Sequence, residues 1–500
     1  MNFEVLAFVL YFVLVLGIGI YFFLKNKSNS ESDYFLGGRK VGPWVTAMSA
    51  QASDMSGWLM MGLPGSILAF GLGQAWIGIG LVIGTALNWI LVAKRLRKFS
   101  KASGDSITLP QYLTNRFNEK SHALSITCAI VFLISFTVYV ASGFVAGATV
   151  FSALFPNLDS NLALIIFAAI LVLYTFLGGY KAVCWTDFFQ GLLMLIALLA
   201  IPIVIVMTEK LDVSRLNDVI INAKDGTEYR FVNSLFSASW QDIVSGLAWG
   251  LGYFGMPHIL VRFMGIEKPS MVKKSATVAI IWVVLSLLAA ILIAYFGRML
   301  VAEELLTAGL QKNIFIVLAR RYFPSFVAGL MLAAIIAASM STADSQLLVA
   351  SSSFTSDIYK PVFRKNASGK ELIWVGRAVV LVVAIVAYFI ASAKGSGAQA
   401  IMNMVENAWG LFGAAFGPVI LLSLFWKRFT YKGALAGIIT GTVVDIAWLI
   451  WLSSSTGIYE ILPGACAGMI AAVIVTCLDK APGKAVLAIY EKATNESIDD

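Results

Sequence analysis

The stretch Ser49-Ala-Gln-Ala-Ser-Asp54-Met-Ser-Gly-Trp58-Leu-Met-Met-Gly62-Leu-Pro64-Gly65 lies inside an apolar run long enough to cross a bilayer, yet it carries a carboxylate, several hydroxyls and a Gly-Leu-Pro-Gly break. A charge at that depth costs at least ~2.5 kcal/mol. An interrupted backbone is tolerated in lipid only where protein or a water-filled cavity satisfies the freed groups. Both costs fall in one helix, and the combination predicts a binding site inside a membrane protein.

The rest of the composition agrees. Hydrophobic residues make up 59% of the 500, charged residues 13%, and the mean hydropathy is +0.84. A soluble chain would be about a quarter charged, so the expected class is an all-α polytopic membrane protein built as one integral domain. The net charge of +8 does not point to nucleic acid, because the basic residues lie in loops between apolar spans, the pattern of orientation by the cytoplasmic leaflet. Cys128, Cys184, Cys466 and Cys477 form no CxxC pair and read as packing residues. Histidine is confined to His122 and His258, which argues against zinc chemistry or a His-based catalytic triad, and no GxxxxGK[ST] loop marks a nucleotide motor. No enzymatic activity is expected.

Thirteen apolar spans are expected, near 5–24, 43–70, 74–92, 123–154, 161–177, 186–207, 240–260, 275–301, 323–354, 372–393, 400–426, 433–452 and 460–478. The first has no positive charge before it and Lys25 and Lys27 after it, so it reads as an anchor helix and not a cleaved signal. Placing the C-terminus inside puts three quarters of the Lys and Arg residues in inside loops, which predicts an N-terminus outside and a cytoplasmic C-terminus. The longest soluble connection, 208–239, is then external, and the tail after Leu478 is too short for a catalytic domain.

A second break, Trp249-Gly-Leu-Gly-Tyr253-Phe-Gly-Met-Pro257-His258, interrupts the seventh span as the first interrupts the second. The two lie five spans apart and run in opposite directions. Corresponding broken helices in oppositely oriented halves point to an inverted-repeat secondary transporter with its site at the breaks. A third polar cluster, Ala337 to Ser345, holds the adjacent hydroxyls of Ser341 and Thr342. An isolated pair would bond back to its own helix. Beside an intramembrane carboxylate, the pair suits a hard cation such as sodium, which takes oxygen ligands. Small-residue pairs (Gly80/Gly84, Gly143/Gly147, Gly413/Gly417, Gly433/Gly437/Gly441) are expected to let helices approach closely.

Ordered stretches then carry a resemblance over nearly the whole chain: Asp33-Tyr-Phe-Leu-Gly-Gly-Arg39, Ala52-Ser-Asp-Met-Ser-Gly-Trp58, Met61-Gly-Leu-Pro-Gly65, Phe136-Thr-Val-Tyr139-Val-Ala-Ser-Gly143, Trp185-Thr-Asp187, Gly250-Leu-Gly-Tyr-Phe-Gly255 with Pro257-His258, Met340-Ser-Thr342 and Gly413-Ala-Ala-Phe-Gly-Pro418. The chain resembles the sodium/solute symporter family. The resemblance implies a five-plus-five inverted-repeat core, here 43–207 and 240–426, with peripheral spans 5–24, 433–452 and 460–478. It implies a plasma-membrane symporter that takes sodium as co-transported ion and L-proline as substrate, with no obligate protein partner. Another small solute such as pantothenate or a sugar is the nearest alternative. An ion channel, a membrane-bound enzyme or a sensor is more distant, since neither repeated pore motifs nor a nucleophile–base set is present.

Carried over by position, the resemblance places sodium on the carbonyls of Ala52, Met55 and Ala338 and the hydroxyls of Ser341 and Thr342. Asp54 and Asp187 become nearby coupling carboxylates, with capping of a helix start as the competing role for Asp187. Ser56, Gly57, Trp58, Tyr139, Trp249, Tyr253 and Pro257 surround the substrate. Aromatic faces suit a secondary ammonium and its apolar ring, and broken-helix backbone suits a carboxylate. Arg39 and Arg262 are expected at the cytoplasmic mouth, where snorkelling is the plainer reading. Glu406 and Asp344 have no assigned role.

Overall fold

Apolar segments that must satisfy their own backbone in lipid do so as helices, and helices are what these runs form. The computed structural model describes residues 3–25, 30–394 and 398–495. Lys27 lies outside the described residues. Among them, ten helices are long and apolar enough to span a bilayer, or eleven with the bent pair Trp240–Phe254 and Pro257–Gly265, whose halves meet at 42°. Two of the expected spans are shorter pieces. Segment 43–70 is split into Pro43–Asp54 and Trp58–Phe70, and Ser160–Leu173 is the first arm of the long element Ser160–Thr208. That element turns at Gly179, whose φ of +63° only glycine adopts readily. The external loop expected over 208–239 holds a small antiparallel pairing of Ile220–Ile221 with Glu228–Tyr229.

Ser325–Ser353 runs through the centre, buried over nearly its whole length, and packs on Ala123–Leu154, Ser160–Thr208 and Phe3–Lys25. Small residues set the closest approaches. A Cβ at Gly80 would strike the carbonyl of Gly246, and one at Gly84 the backbone of Gly250, so Ala75–Leu87 lies backbone to backbone against the second broken helix. Tyr431–Trp451 and Ile461–Leu478 pack on one another and on Ala398–Phe425.

At one end of the molecule the two broken helices are tied together by arginines. Arg39 donates to Asp105 Oδ1 at 2.8 Å, to the Met264 carbonyl at 2.5 Å and to the Ser106 carbonyl at 2.8 Å. Arg97 donates to the carbonyls of Ile266 at 2.7 Å and Glu267 at 3.0 Å. Burial works against the Asp105 charge, but Arg39, then Lys101, outweigh it and hold the carboxyl below its ordinary range. The C-terminal helix Lys484–Thr494 lies across this end, with Tyr490 against Phe99 at 5.3 Å and Glu491 paired to Lys427 at 2.8 Å.

Candidate functional site

The first break opens the site by freeing carbonyls. Pro43–Asp54 ends where Met55 leaves helical geometry (φ −86°, ψ 81°). The Ser56 amide, which would have bonded to the Ala52 carbonyl in a continuous helix, turns to Asp54 O at 3.1 Å. The Leu59 amide likewise goes to Ser56 O at 3.0 Å and leaves the Met55 carbonyl out of the ladder. Ser341 Oγ crosses from the central helix to the freed Ala52 carbonyl at 2.7 Å and also approaches Ala338 O at 3.3 Å. Thr342 Oγ1 donates to Ala338 O at 3.1 Å. The bonds to Ala338 are the local back-bonds that hydroxyls in helices ordinarily make. The bond to Ala52 joins residues 289 apart in sequence and has no local explanation. Four of the five expected oxygens thus lie together where the broken helix meets the central one, and Met55 is buried in the break beside them.

Asp54 is fully buried, and its Oδ2 accepts from Tyr253 Oη of the second broken helix at 2.5 Å, while Oδ1 has no hydrogen-bond partner. The two breaks therefore meet through one carboxylate. Trp58 faces Trp249 at 6.3 Å between ring centroids, and Tyr253 stands edge-on to Trp409 at 5.1 Å. Trp409 Nε1 donates to the Trp249 carbonyl at 2.8 Å. The buried Tyr139 hydroxyl has no hydrogen-bond partner and lies close to Ser56 and Trp58. Pro257 begins the helix Pro257–Gly265, where its missing N–H costs nothing. Gly57 is filled from outside: a Cβ there would sit 2.5 Å from Ala146 Cβ and 3.2 Å from Ser339 Oγ, so its immediate role is close helix packing.

Two expectations are corrected. Asp187 is not at a helix start, since the helix turns at Gly179 and Asp187 lies two turns beyond. Arg262 does not snorkel. It is wholly buried and pairs with Asp187 Oδ2 at 3.2 Å, with further donations to Ser49 Oγ at 3.1 Å, the His258 carbonyl at 3.0 Å and Ser345 Oγ. Ser49 Oγ donates to the same Asp187 oxygen at 2.6 Å. Arg39 is also buried, held in the arginine clasp already described. Sequence reasoning missed Trp409 and Tyr459 as neighbours of Trp249, the latter ring lying 5.3 Å away. Trp409 had a signal, an Ala-Trp-Gly run in a glycine-rich span, whereas Tyr459 sits in a connection with none.

A freed carbonyl thus meets a hydroxyl of the central helix near a carboxylate shared by the two broken helices. The model of the sodium:solute symporter family matches residues 34–441. The chain belongs to that family. It is 41% identical to the sodium/proline symporter of Haemophilus influenzae over 499 residues, covering 98% of this chain and 97% of that one. It is 42% identical to sodium/proline symporter 2 of Staphylococcus saprophyticus over 498 residues, covering 97% and 94%. Among solved structures, a Na+-coupled sialic acid symporter in a substrate-bound, outward-open state superposes with a TM-score of 0.74 at 20% identity, over 97% of this chain and 99% of that one. At that identity the likeness speaks to the fold. This family member is a multi-pass membrane protein with two broken helices in its core.

Proposed function

We propose that the chain is a sodium-coupled symporter that imports L-proline across the plasma membrane by alternating access. The observation that carries the reading is the Ser341 hydroxyl on the Ala52 carbonyl freed by the break. Those two oxygens, with Ala338 O, Thr342 Oγ1 and Met55 O, form an all-oxygen set on two helices, and sodium would draw the two helices together through it. Asp54 adds negative charge beside the set and passes the consequence to the second broken helix through Tyr253. Asp187 acts through Ser49 and Arg262, which tie the helix Pro43–Asp54 to the second broken helix.

The substrate pocket is formed by Ser56, Gly57, Trp58, Tyr139, Trp249, Tyr253 and Pro257. Aromatic faces cover a small apolar ring and attract an ammonium, and the pocket offers few polar partners for a hydroxyl-rich solute. The sodium/proline symporters at 41% and 42% identity support proline over pantothenate or a sugar. The two shorter helical pieces complete thirteen spans, arranged as inverted repeats 43–207 and 240–426 in a single domain of residues 1–500. The Lys and Arg bias sets the N-terminus outside and the C-terminus, with the Arg39 clasp, in the cytoplasm. Radiolabelled proline uptake into proteoliposomes tests the reading. An inward sodium gradient should drive accumulation, competed by ring analogues of proline and hardly by pantothenate or glucose. Competition by pantothenate without competition by proline would overturn the substrate and leave the symporter.

A further inference from the structure

At the end opposite the arginine clasp, three acidic residues from three elements gather behind Trp249. Glu406 comes from Ala398–Phe425, Asp445 from Tyr431–Trp451, and Glu460 from the turn into Ile461–Leu478. Asp445 is 1% exposed and Glu460 2%. Asp445 Oδ1 and Glu460 Oε1 are buried with no hydrogen-bond partner. Asp445 Oδ1 and the Tyr459 hydroxyl converge over Gly410, each 3.3 Å from where a Cβ would stand. That hydroxyl donates to the Glu406 carbonyl at 2.7 Å, and the Tyr459 ring lies 5.3 Å from that of Trp249. Glu460 is close enough to both other carboxylates for the charges to interact. A cavity of about 220 Å3 reaches Glu406 and is lined also by Trp249, Tyr459 and Asp242.

Isolated buried carboxylates cannot all stay ionised. Each needs a counter-charge or a proton, because desolvation is not repaid. Among the described residues no Lys or Arg forms a salt bridge with any of the three. The titratable groups that face them are Asp242, held in the capping box of Ser239, and the tyrosines 459 and 139. No three His, Cys, Asp or Glu side chains among the described residues are arranged to hold a metal ion. Protons remain as the neutralising species, and the cavity gives them a route as far as Glu406.

We infer that Glu406, Asp445 and Glu460 form a proton-binding site behind Trp249, and that losing its proton unseats Tyr459 and weakens the substrate pocket. The link to the pocket rests on the proposed role of Trp249; the proton site does not. Binding is simple: a carboxylate oxygen takes a proton from a hydronium ion of the bulk water, releasing neutral water, and the negative charge on that side chain is neutralised. Among the described residues no salt bridge or side-chain hydrogen bond joins the three carboxylates to the oxygens proposed for sodium, so the effect falls on substrate first.

Two measurements on the full chain in liposomes test this. Infrared spectra stepped upward in pH should show a carboxylic-acid C=O band, present at neutral pH, that fades on the alkaline side. Asp445→Asn and Glu460→Gln should each remove part of it. With sodium saturating, the concentration of radiolabelled proline that half-fills the wild type should rise with pH, by up to about tenfold per unit for one linked proton. It should be flat in the double variant. Glu406→Gln, which keeps the carbonyl that Tyr459 uses, serves if the double variant does not fold, and should flatten the profile in the same direction. A band unchanged in all variants would overturn the site. So would carboxylate bands that respond to exchanging choline for sodium at fixed pH but not to pH, which would mean a metal cation. If the wild type binds no proline at all, the substrate reading fails while the infrared result still decides the proton site.

Discussion

Replacing Asp187 by Asn gives a test whose size can be worked from contacts. Asp187 Oδ2 accepts from Ser49 Oγ at 2.6 Å and Arg262 at 3.2 Å, and both members of the ion pair are 0% exposed. Asn keeps an oxygen for the Ser49 hydroxyl, and Arg262 keeps its neutral partners in Ser49, His258 and Ser345. What disappears is the negative charge that pairs at 3.2 Å with a guanidinium buried in the membrane. Breaking one side of a buried pair costs about 3–5 kcal/mol, mostly the uncompensated charge. The folded-to-unfolded ratio should fall by at least about a hundredfold, since each 1.4 kcal/mol is tenfold. Adding Arg262→Met to the Asn variant removes the stranded charge and should recover much of that loss. The assay is thermal unfolding of the purified protein in detergent for the wild type, both single variants and the double. An Asn variant as stable as the wild type, or a double variant worse than the sum of its singles, would refute the argument from an unpaired charge.

Removing either hydroxyl, Ser341→Ala or Thr342→Ala, should raise the sodium concentration for half-maximal uptake more than it lowers the maximal rate, and unchanged sodium curves in both would leave the hydroxyls as packing groups. Asp54→Asn keeps an acceptor for Tyr253 but no charge, so sodium-driven uptake should vanish, with part retained in Asp54→Glu; near-normal sodium dependence in the Asn variant would exclude the carboxylate from coupling. Truncating Tyr139 or Trp249 to Ala should weaken apparent proline affinity by roughly tenfold or more, the loss of one desolvated aromatic contact with a cation, read as competition binding. At the arginine clasp, the depressed Asp105 carboxyl contributes stability that is present above the ordinary carboxylate value of about 3.9 and is lost as pH falls through its lower folded value. Because its side chain is 53% exposed, Asp105→Asn should cost no more than about 1 kcal/mol at pH 7, and the gap to wild type should close in acid; a gap that widens in acid would reverse the sign argued here.

The sequence alone determined the class and the places where helices break. Apolar length forces helices in lipid whatever their neighbours, and Gly-Leu-Pro-Gly at 62–65 and Gly-Met-Pro at 255–257 carry their conformational limits locally. The Ser341–Thr342 pair was legible for the same reason: two hydroxyls in a small-residue run are conspicuous without a structure. Partners were not legible, because pairing is a property of distance in space. Only the tertiary structure showed that Arg262 crosses to Asp187, 75 residues away, and is buried where snorkelling was the plainer reading. It alone showed Ser341 on the Ala52 carbonyl, Ala146 filling the space beside Gly57, and Tyr459 seated on Trp249 beside three carboxylates. The physical reason is common to all four. Local patterns fix where a backbone group is released or a charge is buried, but the group that answers it comes from whichever helix the packing brings alongside.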